Sequence, residues 1–319
     1  MLRVTFTNAP RGSRAAIYSR HPMAQATFRT APDGHPARDA ASWTEEKLMI
    51  LEAYLNAFAK ACQKAGGWYG LDLFAGTGLN WSTIRDQPIP GSALTALEAE
   101  PPQASKVVMA EKHPGAFEAL TARTEKYGER AVRFNDDANL IVADMLAHLP
   151  SRAPAFAFLD PGGSELAWPT VEAIADHKRG QSPYKIEQLI LFPTDMGFVR
   201  LAPDHPELVT RIYGHDRWKD IYARRSADKI DADQARTEYV QLYADGFKQL
   251  GYETVLDRQI KKSNGAPMYF LIFATDNDAG EKIMDWVFDR VRLRVNEELG
   301  QATLFDMESG PPLMACREA

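Results

Sequence analysis

The chain has 319 residues, 45% of them hydrophobic and 25% charged, and a formal net charge of -6 from 37 Lys+Arg against 43 Asp+Glu. This composition gives ample chain for a core and excludes collagen-like and wholly disordered classes. The acidic balance argues against extended coating of duplex nucleic acid, and the 2 cysteines, Cys62 and Cys316, exclude a disulfide framework, a Cys-rich zinc site and an iron–sulfur cluster supplied by this chain alone.

Residues 1–41 are rich in Arg, Ala, Pro, Ser and Thr, with Arg3, Arg11, Arg14, Arg20, Arg29 and Arg38 opposed by Asp33 and Asp39. No apolar signal region stands there, and the expectation is a disordered tail or an over-extended start outside the fold. Scarce cysteine makes a reducing, cytoplasmic setting the default. No run of about 18 apolar residues suggests a membrane span. Order is expected from Ser42, where Ser42 or Thr44 suits a helix N-cap and Glu45 and Glu46 suit the dipole of the first turn. Leu48, Leu51, Leu55, Phe58 and Ala59 recur at helical spacing, and Gly66-Gly67 closes the helix.

The apolar run Trp68 to Phe74 reads as a buried strand ending in Ala75-Gly76-Thr77-Gly78-Leu79-Asn80. Glycines after such a strand let backbone N–H groups approach a ligand that a side chain would keep away. A dinucleotide fingerprint needs a third glycine where this chain has Trp81, and a P-loop needs a Lys-Ser/Thr pair that is missing here. The string Asp72-Leu73-Phe74-Ala75-Gly76-Thr77-Gly78 resembles the loop of class I S-adenosylmethionine (SAM) methyltransferases. That resemblance implies SAM as cofactor. It places Asp72 toward the methionine end and Gly76 and Gly78 against the amino acid and ribose, with Phe74 and Thr77 completing the loop.

Ser105 to Glu111 reads as a second strand ending in an acid. The resemblance implies that Glu111 accepts from the ribose hydroxyls, which suits a carboxylate because it offers acceptors only. The spacing from Gly78 exceeds the usual roughly 20 residues, and a loop over Pro88 to Leu94 with a helix near Ala93 to Glu100 accounts for the excess. A third strand, Ala131 to Phe134, leads into Asn135-Asp136-Asp137-Ala138-Asn139. In the resembled family an acid here meets the adenine amino group. Asp136 and Asp137 both suit that place, and Asn139 suits a cap of the next helix.

The fourth strand, Ala155 to Leu159, is near-continuously apolar, as a buried parallel strand should be, and ends in Asp160-Pro161-Gly162-Gly163-Ser164. This loop should face the same crevice as the glycine loop. It is similar to the [DNS]-P-P-[YFW] motif of enzymes that methylate amines of nucleic acids, which makes Asp160 and Pro161 the candidate catalytic residues. The second proline and the aromatic residue are missing, which argues against base methylation unless Trp168 or Phe198 supplies a stacking face. Ile186 to Pro193 fits a fifth strand. Residues 194–249 are polar and helical in pattern, an insertion too long for a simple connection. Its basic residues Arg217, Lys219, Arg224, Arg225 and Lys229 are interleaved with acids, as on a solvated face. Tyr252 to Ile260 and Met268 to Thr275 flank Asn264-Gly265 as a hairpin, and Asp278 to Arg294 forms a last helix.

The order of motifs resembles the three-Cys-motif partner (TcmP) proteins. The matching residues are Trp43-Thr44 with Lys47, Asp72 to Gly78, Gly91-Ser92-Ala93-Leu94, Glu111, Asp136 with Asn139, Asp160-Pro161-Gly162, and Tyr269 to Phe273. The implied fold is α/β: a Rossmann-like, seven-stranded class I methyltransferase sheet with its last strand antiparallel. It is expected over residues 42–305, with the helical insertion at 194–249 and a flexible tail at 306–319. The implied function is methyl transfer from SAM to an acceptor such as a nucleic-acid base or a partner-linked substrate. The implied partner is a separate three-cysteine-motif protein similar to radical-SAM enzymes. The alternative is an inactive accessory module on the same fold. No metal is expected, since no ligand spacing is present and the 7 histidines are scattered.

Overall fold

A computed structural model describes residues 27–193, 202–262 and 265–298, with side chains described to residue 291. Phe198, Asn264, Cys316 and the tail expected at 306–319 lie outside the described residues. The main sheet comprises β3 (Tyr69–Asp72), β6 (Lys106–Ala110), β7 (Ala131–Phe134), β8 (Ala155–Leu159), β9 (Glu187–Phe192), β10 (Thr254–Lys261) and β11 (Pro267–Thr275). Its order is β10-β11-β9-β8-β3-β6-β7, seven strands in all. Neighbours from β9 to β7 are parallel, while β11 runs antiparallel to both β9 and β10. This is the expected seven-stranded sheet with its last strand reversed.

Helices cover both faces. On one lie α1 (Ser42–Ala61), α2 (Ser92–Leu97), α3 (Pro114–Thr124) and α9 (Asp278–Glu298); on the other lie α4 (Ala138–Leu146), α5 (Trp168–Asp176) and the insertion helices α6 (Pro206–Tyr213), α7 (Trp218–Ser226) and α8 (Ala232–Gln249). The period-2 alternation of a strand explains the division. In β8, Phe156 and Phe158 join the α1 side, while Ala155, Ala157 and Leu159 join the insertion side. Both faces being covered, every β8 residue is buried.

The segment expected as a tail enters the fold earlier than Ser42. β1 (Phe28–Thr30) and β2 (Pro36–Ala40) join β4 (Leu79–Ser82) and β5 (Gln87–Pro90) in a second, four-stranded sheet. The turn Pro32-Asp33-Gly34, with Gly34 at φ 80°, links the first two strands. β4 and β5 form a hairpin where a plain loop was expected, and the helix expected near Ala93 to Glu100 is the shorter α2. Trp81 lies in β4, with the Arg29 guanidinium 5.6 Å from its ring centre.

Neither Ser42 nor Thr44 caps α1. The N-cap is Ala41, with no side-chain bond, because the chain enters the helix straight from β2. Glu45, expected to serve the dipole, is buried and binds the Ser82 hydroxyl and the Arg85 guanidinium of the hairpin. The basic residues of the insertion pair largely with its own acids: Lys219 with Asp216 at 2.9 Å, Arg224 with Asp220 at 2.9 Å, and Arg225 with Asp228 at 3.2 Å.

Candidate active site

Three strand ends converge. β3 pairs with β6 and with β8 in registers that set Asp72 opposite Met109 and Phe158. Glu111 and Asp160 therefore stand two residues beyond their partners, on either side of Asp72. The glycine loop leaves β3 between them, at the carboxyl end of an open parallel sheet where ligands bind.

Asp72 is 2% exposed. Its Oδ1 accepts from the Phe74 N–H at 3.2 Å, and its Oδ2 has no hydrogen-bond partner among the described residues. Burial pushes this carboxyl up to about 7; the nearby Ser92 hydroxyl and the Phe74 N–H oppose the rise, and the charges of Asp160 and Glu111 add to it. A buried carboxylate oxygen lacking a donor is costly unless a ligand supplies one. Four residues on, Gly76 sits at φ 61° with open space where a Cβ would be.

Glu111 is half-buried and folds back over the loop, accepting from Gly76 N–H at 3.0 Å and His113 N–H at 2.7 Å. Burial, the largest influence, raises its carboxyl above the ordinary value, with Glu165 adding to the rise and the His113 and Gly76 N–H groups opposing it. Gly78, at φ 78°, lies against Leu120 and Arg123 of α3, so it packs the loop onto the fold. Thr77 is buried with its hydroxyl donating to Leu79 O at 2.7 Å. Phe74 is half-buried and packs on the core.

After β7 the two acids separate. Asp137 is the N-cap of α4, where its Oδ1 accepts from the Asn139 N–H at 3.0 Å. Asp136 is exposed and accepts a local bond from the Asp137 N–H at 2.7 Å. Asn139, expected as the cap, instead bridges: its Nδ2 donates to Asp137 Oδ1 and Glu165 O at 2.9 Å each, and its Oδ1 accepts from Ala167 N and the Thr170 hydroxyl.

On the β8 side, Pro161 is buried and Asp160 receives the ammonium of Lys47. Sequence reasoning noted Lys47 only as part of the opening helix. The loop that follows is braced by Glu165, which accepts from Gly162 N–H at 3.2 Å and pairs with Lys112 at 2.5 Å. Arg211 of the insertion donates to Ser164 O at 2.8 Å, so the insertion does touch this loop. Trp168 is not a free stacking face. It is 8% exposed, with Tyr243 and Phe247 edge-on to it at 5.2 and 5.6 Å.

Arg123 was also missed. Buried on α3, it holds Thr77 O at 2.7 Å, Pro36 O at 2.8 Å and the Asp33 carboxylate, tying the glycine loop to the second sheet. Among the described residues no group of three or more His, Cys, Asp or Glu side chains is arranged to hold a metal, and no helix is long and apolar enough to cross a membrane.

No family model and no curated protein matches this chain. Solved structures do resemble it. A protein from Legionella pneumophila aligns at 11% identity over 78% of this chain and 91% of its own, with TM-score 0.48. TYW2 from M. jannaschii, in complex with AdoMet, aligns at 11% identity over 78% and 85%, with TM-score 0.37. An rRNA methylase from Streptococcus thermophilus aligns at 13% identity over 70% and 94%, with TM-score 0.37. These likenesses are too distant to assign an activity, which rests on the site's own residues.

Proposed function

We propose that the protein is a SAM-dependent methyltransferase. The single observation that carries this reading is the buried Asp72 carboxylate, its Oδ2 without a hydrogen-bond partner among the described residues, at the strand end that opens into the glycine loop. An amino-acid ammonium would complete the donors at that position, where the Ser92 hydroxyl and the Phe74 N–H already favour the charged carboxylate. Glu111 stands across the loop with acceptors for vicinal hydroxyls, and exposed Asp136 is the acid left for an adenine amino group once Asp137 is committed to its cap. These residues fit SAM, which when bound supplies an electrophilic methyl group. Asp160 and the Pro161 backbone would align the acceptor, and the Asp160 carboxylate would take its proton as the new bond forms.

For the acceptor we infer a base of nucleic acid, reached unpaired or flipped, or a substrate carried by a partner. The resemblance to the three-Cys-motif partner proteins supports a separate cluster-bearing protein as that partner. A second reading is favoured by one observation: the loop after Asp160-Pro161 has no aromatic residue, and Trp168 is locked in the core. On that reading the chain is an accessory module with cofactor affinity and no turnover.

Calorimetry with SAM on wild type and Glu111→Ala tests the proposal. Binding by wild type, weakened by about ten- to a hundredfold in the variant, is expected from the loss of charged hydrogen bonds. A folded wild type that does not bind SAM overturns it. Binding without formation of S-adenosylhomocysteine in the presence of the partner selects the accessory reading.

A further inference from the structure

Lys47 lies on the core side of α1, its side chain 8% exposed, and its ammonium is bound to Asp160 Oδ2, whose side chain is 23% exposed. The Tyr269 ring of β11 lies 6.0 Å from the same ammonium. An ion pair this enclosed holds its geometry, because parting the two groups leaves a charge out of water without a partner. Asp160 and Asp72 end adjacent, hydrogen-bonded strands, so whatever neutralises the first is felt by the second.

We propose that Lys47 is a positioning residue that couples the two sides of the crevice: by fixing Asp160 and offsetting part of its charge on the acceptor side, it keeps Asp72 able to receive the cofactor ammonium on the other. This rests on the SAM reading above. The charged surroundings are few. Asp72 faces Ser92 from α2, Glu111 from the end of β6 and Asp160 from the end of β8. Asp160 faces Lys47 from α1 and Tyr269 from β11. Of the neighbouring charges, Glu46 is paired with Arg258 and Lys112 with Glu165, while Glu111 has His113 beside it.

The test is the pH dependence of S-adenosylhomocysteine binding by calorimetry, over about pH 5.5 to 8. This ligand has a neutral sulfur, so a bare Asp160 does not attract it as it would a sulfonium. Wild-type affinity should fall as pH drops through about 7, where Asp72 takes up a proton. Lys47→Met leaves Asp160 without its counter-charge and should move that midpoint up; a shift of ~0.5–1 pH unit weakens binding about two- to fivefold at about pH 7, approaching about three- to tenfold toward about pH 5.5. Asp160→Asn leaves Lys47 positive and should move it down. The double variant should return close to wild type, and Lys47→Arg should keep the wild-type midpoint. A purely structural role would not give opposite shifts. Coincident midpoints, or shifts of one sign, in variants whose circular dichroism is native would overturn the coupling; if Lys47→Met does not fold, the downward shift in Asp160→Asn decides. Absence of any binding by wild type removes the SAM reading, and the coupling with it.

Discussion

Arg123 grips Asp33 from 90 residues away, Nε to Oδ2 at 2.7 Å and Nη2 to Oδ1 at 2.9 Å, while its Nη1 holds the Thr77 carbonyl of the glycine loop at 2.7 Å. One buried guanidinium thus joins the second sheet to the loop we assign to the cofactor.

Arg123→Met should therefore lower stability by about 2–3 kcal/mol, measured by urea unfolding. Asp33 is 37% exposed, so solvent screens the ion pair itself, and most of the loss comes from backbone carbonyls left without a donor. The Arg123 hydrogen bond, the largest influence, holds the Asp33 carboxyl below its ordinary 3.8. The pair's contribution is thus complete above 3.8 and is lost as pH falls through the lower folded value. A variant as stable as wild type would mean that the second sheet is held by other contacts.

Gly91 donates its N–H to Gly78 O at 2.8 Å, and a Cβ on it would stand 2.9 Å from that same oxygen. The backbone is extended at φ -81°, so the objection to a side chain is steric and not conformational. Gly91→Ala should cost about 1–3 kcal/mol by pushing the glycine loop at Gly78 outward, and should weaken SAM binding in the same preparation. An alanine variant with native stability and affinity would show that the contact can relax.

Much of this was legible in the sequence because periodicity and strand-end chemistry are local. The runs ending at Asp72, Glu111 and Asp160 mark three strands and the side of the sheet they open on. What was hidden depends on contacts between distant segments. Phe28 to Ala40 reads as a polar tail until Arg123 and the β4–β5 hairpin are there to pair with it. Asp137 takes the cap for which Asn139 was read because Asn139 is needed by Ala167 and Thr170, residues the local string does not contain. A signal for Lys47 did exist. Lys47, Leu51, Tyr54 and Phe58 share one helical stripe, and the latter three are 1%, 0% and 6% exposed. A charge on such a stripe requires a partner from another element.

Trp168 gives a prediction that separates the core from the site. Its ring fills space that glycines leave open: a Cβ on Gly246 would lie 2.6 Å from Cη2. Trp168→Ala should cost about 3–5 kcal/mol, and Gly246→Ala should destabilise as well, since the indole is hemmed in by Tyr243 and Phe247. Trp168→Phe, which keeps most of the packing, should leave SAM affinity within about twofold of wild type, a free-energy change below ~0.5 kcal/mol. A selective loss of binding in that variant would return Trp168 to the crevice.

Asp72 is where stability and function pull apart. Its carboxyl ionises at 3.8 in the unfolded chain and at about 7 in the fold, chiefly through burial. Between those values the folded state keeps a proton that the unfolded state has lost, so rising pH costs stability across that window, and the deficit is complete above it. Asp72→Asn removes the titration while preserving shape. It should stabilise the protein by about 1–3 kcal/mol above neutral pH, an allowance below the full ~4 kcal/mol of the shift for the imperfect fit of an amide. No comparable gain should appear below the lower value. The same variant should lose SAM affinity by tenfold or more, because an amide cannot offer an ammonium a charged acceptor, a difference of at least about 1.4 kcal/mol. Melting curves at acid and neutral pH, read beside calorimetry, check both halves. If Asp72→Asn is the less stable protein at neutral pH, the buried carboxylate is a structural group already satisfied in the fold, and the cofactor ammonium has no claim on it.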